Sequence, residues 1–478
     1  MNEKYYIELI KEKDFLIAKQ SKTIGELATK YFTLEKDVKE LALENKRLRD
    51  IISKNSSNSS KPPSSDYAKK TSSLREKSLR KPGGQRGHEG NTLKQIDIPD
   101  EKINHTPTHC PCGCCIESVE PHKTEKRQII EIPTVKYTVT EHISEHKICP
   151  NCGSIIKGTF PQEAKAPVNY GDNIKSQISY MMNYQLIPFK RTQEMVMDLF
   201  NLPISEGTLC NIKNELASQL DIFMENSRNA LLKSPVLHLD ETGISINGVR
   251  HWLHVASNKF ITLLFPHANR GKNATDEFNI LPSYKGIVIH DCWKTYFTYK
   301  NCRHGLCNIH LLRELKFFNE QDKYLWSDRF AKLLIGTKDI CDDHRFKGIN
   351  FLLDDTLDTI DRTYDSIIKE GFSELLLRGS IKENKNAYNL LKRLRDYKTS
   401  ILYFAYDFNV PFDNNLAEQD LRMEKLRQKI SGTLRSSDNG LNTTKIRSYI
   451  KTARKNSINV LEAFILAFAG NPFLPLRC

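Results

Sequence analysis

Residues 236–243 read VLHLDETG and residues 287–292 read IVIHDC. Each is a short apolar run leading into an aspartate. Val236, Leu237 and Leu239 precede Asp240, and Ile287, Val288 and Ile289 precede Asp291. Apolar runs of this length read as buried strands. Open α/β sheets bind ligands just outside the carboxyl ends of their strands, and both aspartates are expected there. An Asp at a strand end is equally a turn former, so neither decides the matter alone. A third acid lies in NNLAEQDLR, residues 414–422. Asn414-Asn415 can start a helix, with Glu418 in its first turn. Glu418 also fits a variant of the capping box, and Asp413 and Asp420 are close enough to compete with it. Three such acids together suit phosphodiester chemistry. Two divalent cations about 3.5–4 Å apart clamp the attacking and leaving oxygens of an in-line displacement, and Mg²⁺ takes hard oxygen ligands.

The chain has 478 residues, enough for several domains and a large core. Its net charge of +13 and pI of about 9.0 favour a polyanionic partner. Several of the 12 cysteines cluster as CxxC, and the set does not spread like a disulfide framework, which points to metal binding in a reducing cytosol. The N-terminus MNEKYYIELIKEKD lacks the apolar core of a signal sequence. No apolar run approaches membrane-spanning length, so no membrane partner is expected.

At the N-terminus Leu27, Leu34, Leu41 and Leu48 recur every seventh residue, with Ile24, Tyr31, Val38 and Asn45 three places earlier in each heptad. A seam of this period is buried by supercoiling on a partner, so residues 1–54 read as a leucine zipper and the protein as a homo-oligomer. NSSNSSKPPSSD then marks a linker. A basic arm follows, with Lys69, Lys70, Arg75, Lys77, Arg80, Lys81 and Arg86 against Glu76. Such an arm contributes salt-sensitive, sequence-independent affinity for DNA. Linker and arm together span 55–104.

Residues 105–160 carry a cysteine module. CPNCG supplies Cys149 and Cys152, and HCPCGCC supplies Cys110, Cys112, Cys114 and Cys115. Four thiolates bind Zn²⁺ tetrahedrally. Cys112 with Cys115 is the preferred N-terminal pair, and Cys110 with Cys112 the rival. Val135, Tyr137 and Val139 alternate between the halves as a ribbon strand would. In 165–225, a helix over Arg191–Phe200, the turn NLPI and a second helix capped by Ser205 follow helix-turn-helix grammar. Lys190, Arg191 and Lys213 are its candidate phosphate contacts.

From Pro235 the pattern turns to strands, with Trp252–Ala256 and Phe260–Phe265 flanking a Ser257-Asn258-Lys259 turn. Cys307 and His310 lie one helical turn apart, with Cys302 and His304 just before them. The spacing could hold zinc, but we read the pair as supporting the active site. Residues 292–417 are too long for a loop, and leucines at helical spacing place a helical insertion over 321–404. After Glu418 come Arg422, Lys425, Arg427, Lys429 and Arg435, cations suited to DNA phosphates. Their alternative is a surface helix with Glu418 paired to Arg422.

HLDETG, VIHDCWKTYF, CNIHLLREL and VPFDNNLAEQDLRMEKLRQKISGTLRS resemble, in that order, the core of insertion sequence 66 family transposases. The resemblance runs from SSNSSKPPSSD to the C-terminal helix. It implies a ribonuclease H-like catalytic domain with an Asp-Asp-Glu triad, and maps these acids onto Asp240, Asp291 and Glu418. The fold class expected is α/β: a ribonuclease H-like mixed sheet core (232–320 and 405–478) with a large helical insertion, preceded by a coiled coil, a zinc-ribbon-like module and a helix-turn-helix region. The activity implied is cleavage and joining of DNA at insertion-element ends, with Mg²⁺ or Mn²⁺ at the acids and Zn²⁺ at the cysteines. Helper proteins from the same element and a place in the bacterial cytoplasm, at the nucleoid, go with it. The alternatives are a non-catalytic zinc-containing DNA-binding regulator and a ribonuclease H-like nuclease without strand transfer.

Overall fold

The computed structural model describes residues 2–55, 58–59, 95–131 and 137–475, with side chains from residue 7 onward. The basic-arm residues Lys69, Lys70, Arg75, Lys77, Arg80, Lys81 and Arg86, most of the linker before them, and Val135 of the expected ribbon strand lie outside the described residues.

A single helix, α1 (Asn2–Ser53), opens the chain. Its heptad leucines face solvent, with Leu27, Leu34 and Leu41 each about 60% exposed or more. Lys46 at its far end pairs with Asp322. The cysteine module holds one short antiparallel hairpin, β1 (His146–Ile148) and β2 (Ile155–Lys157). Tyr137 and Val139, expected on a strand, are exposed and outside any strand. The pairing instead forms where CPNCG turns the chain back on itself. Helices α2 (Asp172–Ser179), α3 (Phe189–Phe200), α4 (Glu206–Ser218) and α5 (Asp221–Leu232) follow, with a π-helical turn at Tyr180–Tyr184 after α2. Ser205 caps α4 as its sequence predicts, its side chain accepting from Thr208 N at 3.1 Å.

The five-stranded sheet comprises β3 (Val236–Ile246), β4 (Val249–Ser257), β5 (Thr262–His267), then β6 (Ile287–His290) and β7 (Arg303–Leu306). Helix α6 (Lys272–Glu277) intervenes between β5 and β6. The strand order is β5-β4-β3-β6-β7. The first three run antiparallel, and β6 and β7 join parallel to β3. β5 starts later than its apolar pattern suggests. The Asn258 side chain takes the Phe260 and Ile261 amides and holds those residues in the turn.

Helices α7 (Asn308–Asp322), α8 (Leu325–Phe346), α9 (Asp354–Leu377), α10 (Lys385–Asp396) and α11 (Lys398–Tyr406) form a layer with its own aromatic core around Trp326, Phe330, Tyr364 and Phe404. The chain then returns to the sheet as α12 (Asn415–Ser431), α13 (Ser437–Lys455) and α14 (Val460–Phe468). Alternation on β3 divides the core between the sheet's two faces. Ile244 and Ile246 pack under Ala417 and Leu421 of α12, while Leu237 and Leu239 face the opposite cluster with Tyr284 and Tyr296. A further core joins α2–α5 to α13 and α14, through Leu209, Leu216 and Phe223 against Tyr449, Ala463 and Phe464. Residues 165–225 and the C-terminal helices therefore share one interior.

Candidate active site

β3 does not stop at Asp240. Its parallel pairing with β6 ends at His238 opposite Ile289, but its antiparallel pairing with β4 continues to Ile246. Asp240 therefore stands inside the strand, just past the point where β6 leaves it. Asp291 follows the last residue of β6, at the carboxyl end that the sequence predicts. It is held by the chain's own turn, its Oδ1 accepting from Trp293 N at 3.3 Å.

Glu418 arrives from the other side of the gap, in the first turn of α12. Asn414 sets its position. The Asn414 side chain meets His238 Nδ1 at 2.9 Å and donates to the Leu239 carbonyl at 2.7 Å, while its amide donates to Cys307 Sγ at 3.2 Å. Asn414 therefore gives the helix no side-chain cap and instead ties its start to β3 and α7. The capping alternative for Glu418 fails, because the Asn415 amide it would take donates to Asp413 Oδ1 instead. The competing acids are also engaged. Asp413 takes the Asn415 amide at 3.0 Å, and Asp420 accepts from Thr262 Oγ1 and Lys455 Nζ, each at 2.8 Å. Glu418 Oε1 is buried without a hydrogen-bond partner and lies 3.7 Å from His310 Nε2.

Electrostatics bind the acids together. Burial drives the Asp240 carboxyl well above the usual range, and Glu241, Asp291 and Glu418 push it further. A buried carboxyl among like charges is stabilised either by a proton or by a cation. Glu241, which the sequence reading passed over, points to the opposite face of β3, as strand alternation requires. Its side chain is 1% exposed. It accepts from Arg270 Nε at 2.8 Å and from Tyr296 Oη at 2.5 Å. Burial raises its pKa, Asp291 adds to this, and Tyr296 and Arg270 oppose it. Its signal was the acid pair Asp240-Glu241 in a strand, which must divide between two faces.

Cys307, His310 and Glu418 bring their ligand atoms within 4.8 Å of one another, and this is the one such His, Cys or acid group among the described residues. Cys307 and His310 border a cleft of about 240 Å³ that also meets Asp291, Glu314 and Arg393. Cys302 and His304 do not join them. His304 Nδ1 faces His290 Nε2 at 3.1 Å, and burial holds His290 neutral, its pKa pushed down to about 3.

The cysteine module forms two small knuckles, each turning on a glycine with positive φ (Gly113 and Gly153). Gly113 N donates to the Cys110 carbonyl and Gly153 N to the Cys149 carbonyl. Cys112 is pushed down first by the Cys114 backbone and then by a hydrogen bond from Cys110. Cys152 is lowered by Ser154 and then by Cys149. Cys110 and Cys112 thus share a hydrogen bond at the N-terminal knuckle, and Cys115 pairs through its backbone with His109.

Of the expected DNA contacts, Lys190, Arg191, Arg422, Lys425 and Lys429 are exposed. Lys425 also donates to the Gly243 carbonyl. Two expectations need correction. Lys213 is buried and donates to Thr443 Oγ1 at 2.7 Å and to Asn439, with burial pushing its pKa down to about 8. Arg427 is buried at i+3 from Glu424 and pairs with it at 3.3 Å. Each lies on the inward face of its helix, so its charge serves packing and not a phosphate.

Asp240 thus stands on the central strand of the sheet within the fields of Asp291 and Glu418, and α12, which carries Glu418, also presents the exposed Arg422, Lys425 and Lys429. The chain matches the Transposase IS66 family over residues 167–442 and belongs to that family. That stretch holds Asp240, Asp291, Glu418 and the whole sheet. The family's activity is the cutting and joining of DNA. A second match, to a Family of unknown function (DUF6444), covers residues 12–94. No curated protein matches the chain. Among the described residues no helix is long and apolar enough to cross a membrane.

Proposed function

We propose that this transposase cleaves and joins DNA at insertion-element ends by two-metal-ion phosphoryl transfer, with Asp240, Asp291 and Glu418 as the metal-holding acids. The observation that carries this reading is the buried Glu418 Oε1, which has no hydrogen-bond partner, together with the Asp240 carboxyl, which burial first and then Glu241, Asp291 and Glu418 drive toward protonation. Unsatisfied carboxylate oxygens fit Mg²⁺ or Mn²⁺. When bound, the ions lower the pKa of the attacking hydroxyl and stabilise the leaving oxygen. The protein's own part is positional. β3 and β6 fix the two aspartates, and Asn414 fixes the entry of α12 and so the reach of Glu418. His310 restrains the Glu418 carboxylate. The nucleophile is water in the first cut and the freed 3′-hydroxyl in joining.

The strand order, three antiparallel strands followed by two parallel ones, supports a ribonuclease H-like core, and α8–α11 would be its insertion. The exposed leucine seam of α1 supports a coiled-coil contact with a second copy. The two glycine-turned knuckles favour zinc as the ligand of this module, with Cys110, Cys112, Cys149 and Cys152 as the proposed thiolates. The α3–turn–α4 hairpin supports a helix-turn-helix surface with Lys190 and Arg191 outward. The test is a nicking assay on DNA carrying the element's own ends. Wild-type protein should nick at the ends in Mg²⁺ or Mn²⁺, and Glu418→Gln should bind without nicking. Equal nicking by Glu418→Gln would remove the triad.

A further inference from the structure

On the sheet face away from Glu418, charged and aromatic side chains alternate in a column. The Arg250 guanidinium lies 4.6 Å from the Trp252 ring centre. Arg270 lies 4.9 Å from Trp252 and 4.7 Å from Trp293, between the two indoles. The local sequence produces this order. Arg250 and Trp252 are two apart on β4 and share a face, and Trp252 sits opposite Gly243, whose missing side chain leaves room for the Arg250 guanidinium. Trp293 is carried in by the turn after β6. Glu241 fixes Arg270 from below and Tyr296 braces Trp293 edge-on at 5.1 Å.

This column meets the acid cluster directly, because Trp293 is the residue whose amide donates to Asp291. Both indoles are only half-buried, Arg270 is 40% exposed, and Arg250 is exposed with no acidic partner among the described residues. Glu241 neutralises Arg270 from within, so Arg250 is the uncompensated charge of the column.

We propose that the Arg250–Trp252–Arg270–Trp293 column is a binding site for unpaired nucleotides of the DNA strand beside the scissile phosphate. Indole and guanidinium planes stack on nucleobases without regard to sequence. Arginine adds contacts to phosphate. In a duplex the base faces are covered by their neighbours, so a stacking column selects nucleotides that have left the stack. The site would hold the end of the element open next to Asp291. This inference rests on the proposed phosphoryl-transfer site, but its test is separate.

The chain has three tryptophans. Two are in the column, and the third, Trp326, is 1% exposed inside the helical layer. Intrinsic fluorescence therefore reports on the column against a constant background. Full-length protein in EDTA would be titrated with single-stranded oligothymidylate and with a blunt duplex, and binding followed in parallel by anisotropy of labelled DNA. The single strand should quench strongly and the duplex should bind with little quenching. Trp293→Ala, and separately Arg250→Ala at an exposed position, should weaken single-strand affinity by about tenfold. Single-strand binding without quenching, no single-strand binding, or unchanged affinity in the Arg250→Ala protein would each overturn the site. Nicking by the same wild-type preparation in Mg²⁺ tests the acids independently. Quenching without nicking would count against the phosphoryl-transfer reading and leave the column standing.

Discussion

The imidazole Nε2 of His310 and the Oε1 of Glu418 face each other at 3.7 Å, linking the first turn of α7 to the first turn of α12. Two helices far apart in sequence thus aim at one carboxylate. If the pair restrains Glu418, loss of the imidazole leaves the acid present but loosely held. His310→Ala is expected to lower nicking by about 10–100-fold and to raise the Mg²⁺ concentration required, the usual cost of removing a ligand's outer partner. Metal titration of the nicking rate checks it, and an unchanged midpoint would count against restraint.

Asp240→Asn keeps the shape of the strand but removes one charge from the cluster. Its expected effect is loss of strand cleavage with DNA affinity intact. Stability should hold or rise, since burial and like charges already disfavour the ionised form. Thermal melting alongside the nicking assay separates the two effects. A large fall in melting temperature would show that the acid serves the fold.

Glu424 is buried between Arg447, at 2.7 Å, and Arg427. Burial alone would raise its pKa, but Arg447 and then Arg427 outweigh that and hold it below the usual value. A depressed acid stabilises the fold above its unfolded pKa of about 4.5 and loses that contribution as pH falls through the folded value. Glu424→Gln should therefore cost about 3–5 kcal/mol at neutral pH. The deficit should shrink on acidification, read from denaturant melts across pH.

Lys213 separates packing from DNA binding. Lys213→Met should lower stability by about 1–3 kcal/mol by leaving Asn439 and Thr443 short of a donor. The salt dependence of DNA binding should not change, whereas Lys190→Ala should flatten that slope. A shallower slope for Lys213→Met would return it to the interface.

At the cysteine module, Cys110→Ser should lower bound zinc and Cys115→Ser should not. Metal analysis of the purified variants decides between the two pairs. Retention by Cys110→Ser with loss by Cys115→Ser would reverse the assignment.

The strands were legible because Val236–Leu239 and Ile287–Ile289 are apolar runs with a clear end. The extension of β3 past Asp240 was not, because Thr242 and Gly243 interrupt the apolar pattern and only the partner strand reveals that Ile244 and Ile246 continue it. Glu418 could be chosen over Asp413 and Asp420 by resemblance. In the structure the other two are engaged, Asp413 by an amide and Asp420 by a lysine with a threonine, whereas Glu418 Oε1 has no hydrogen-bond partner. Lys213 and Arg427 misled because a charged residue on a helix reads as surface, and a buried partner such as Glu424 or Thr443 leaves no local trace. The Arg270 sandwich was invisible for a similar reason, since one indole lies on β4 and the other in the turn after β6.

Arg447 also donates to the Asn183 carbonyl in the π-helical turn after α2, at 2.7 Å. The same guanidinium thus clasps the helix bearing Glu418 and the hairpin region before the sheet. That region cannot be swapped like a cassette. A chimaera that borrowed another front end, or a fragment begun at the sheet, would leave Glu424 half-paired and uproot the last acid from a distance. Changes to this region are therefore best confined to outward residues such as Lys190 and Arg191, within the existing frame.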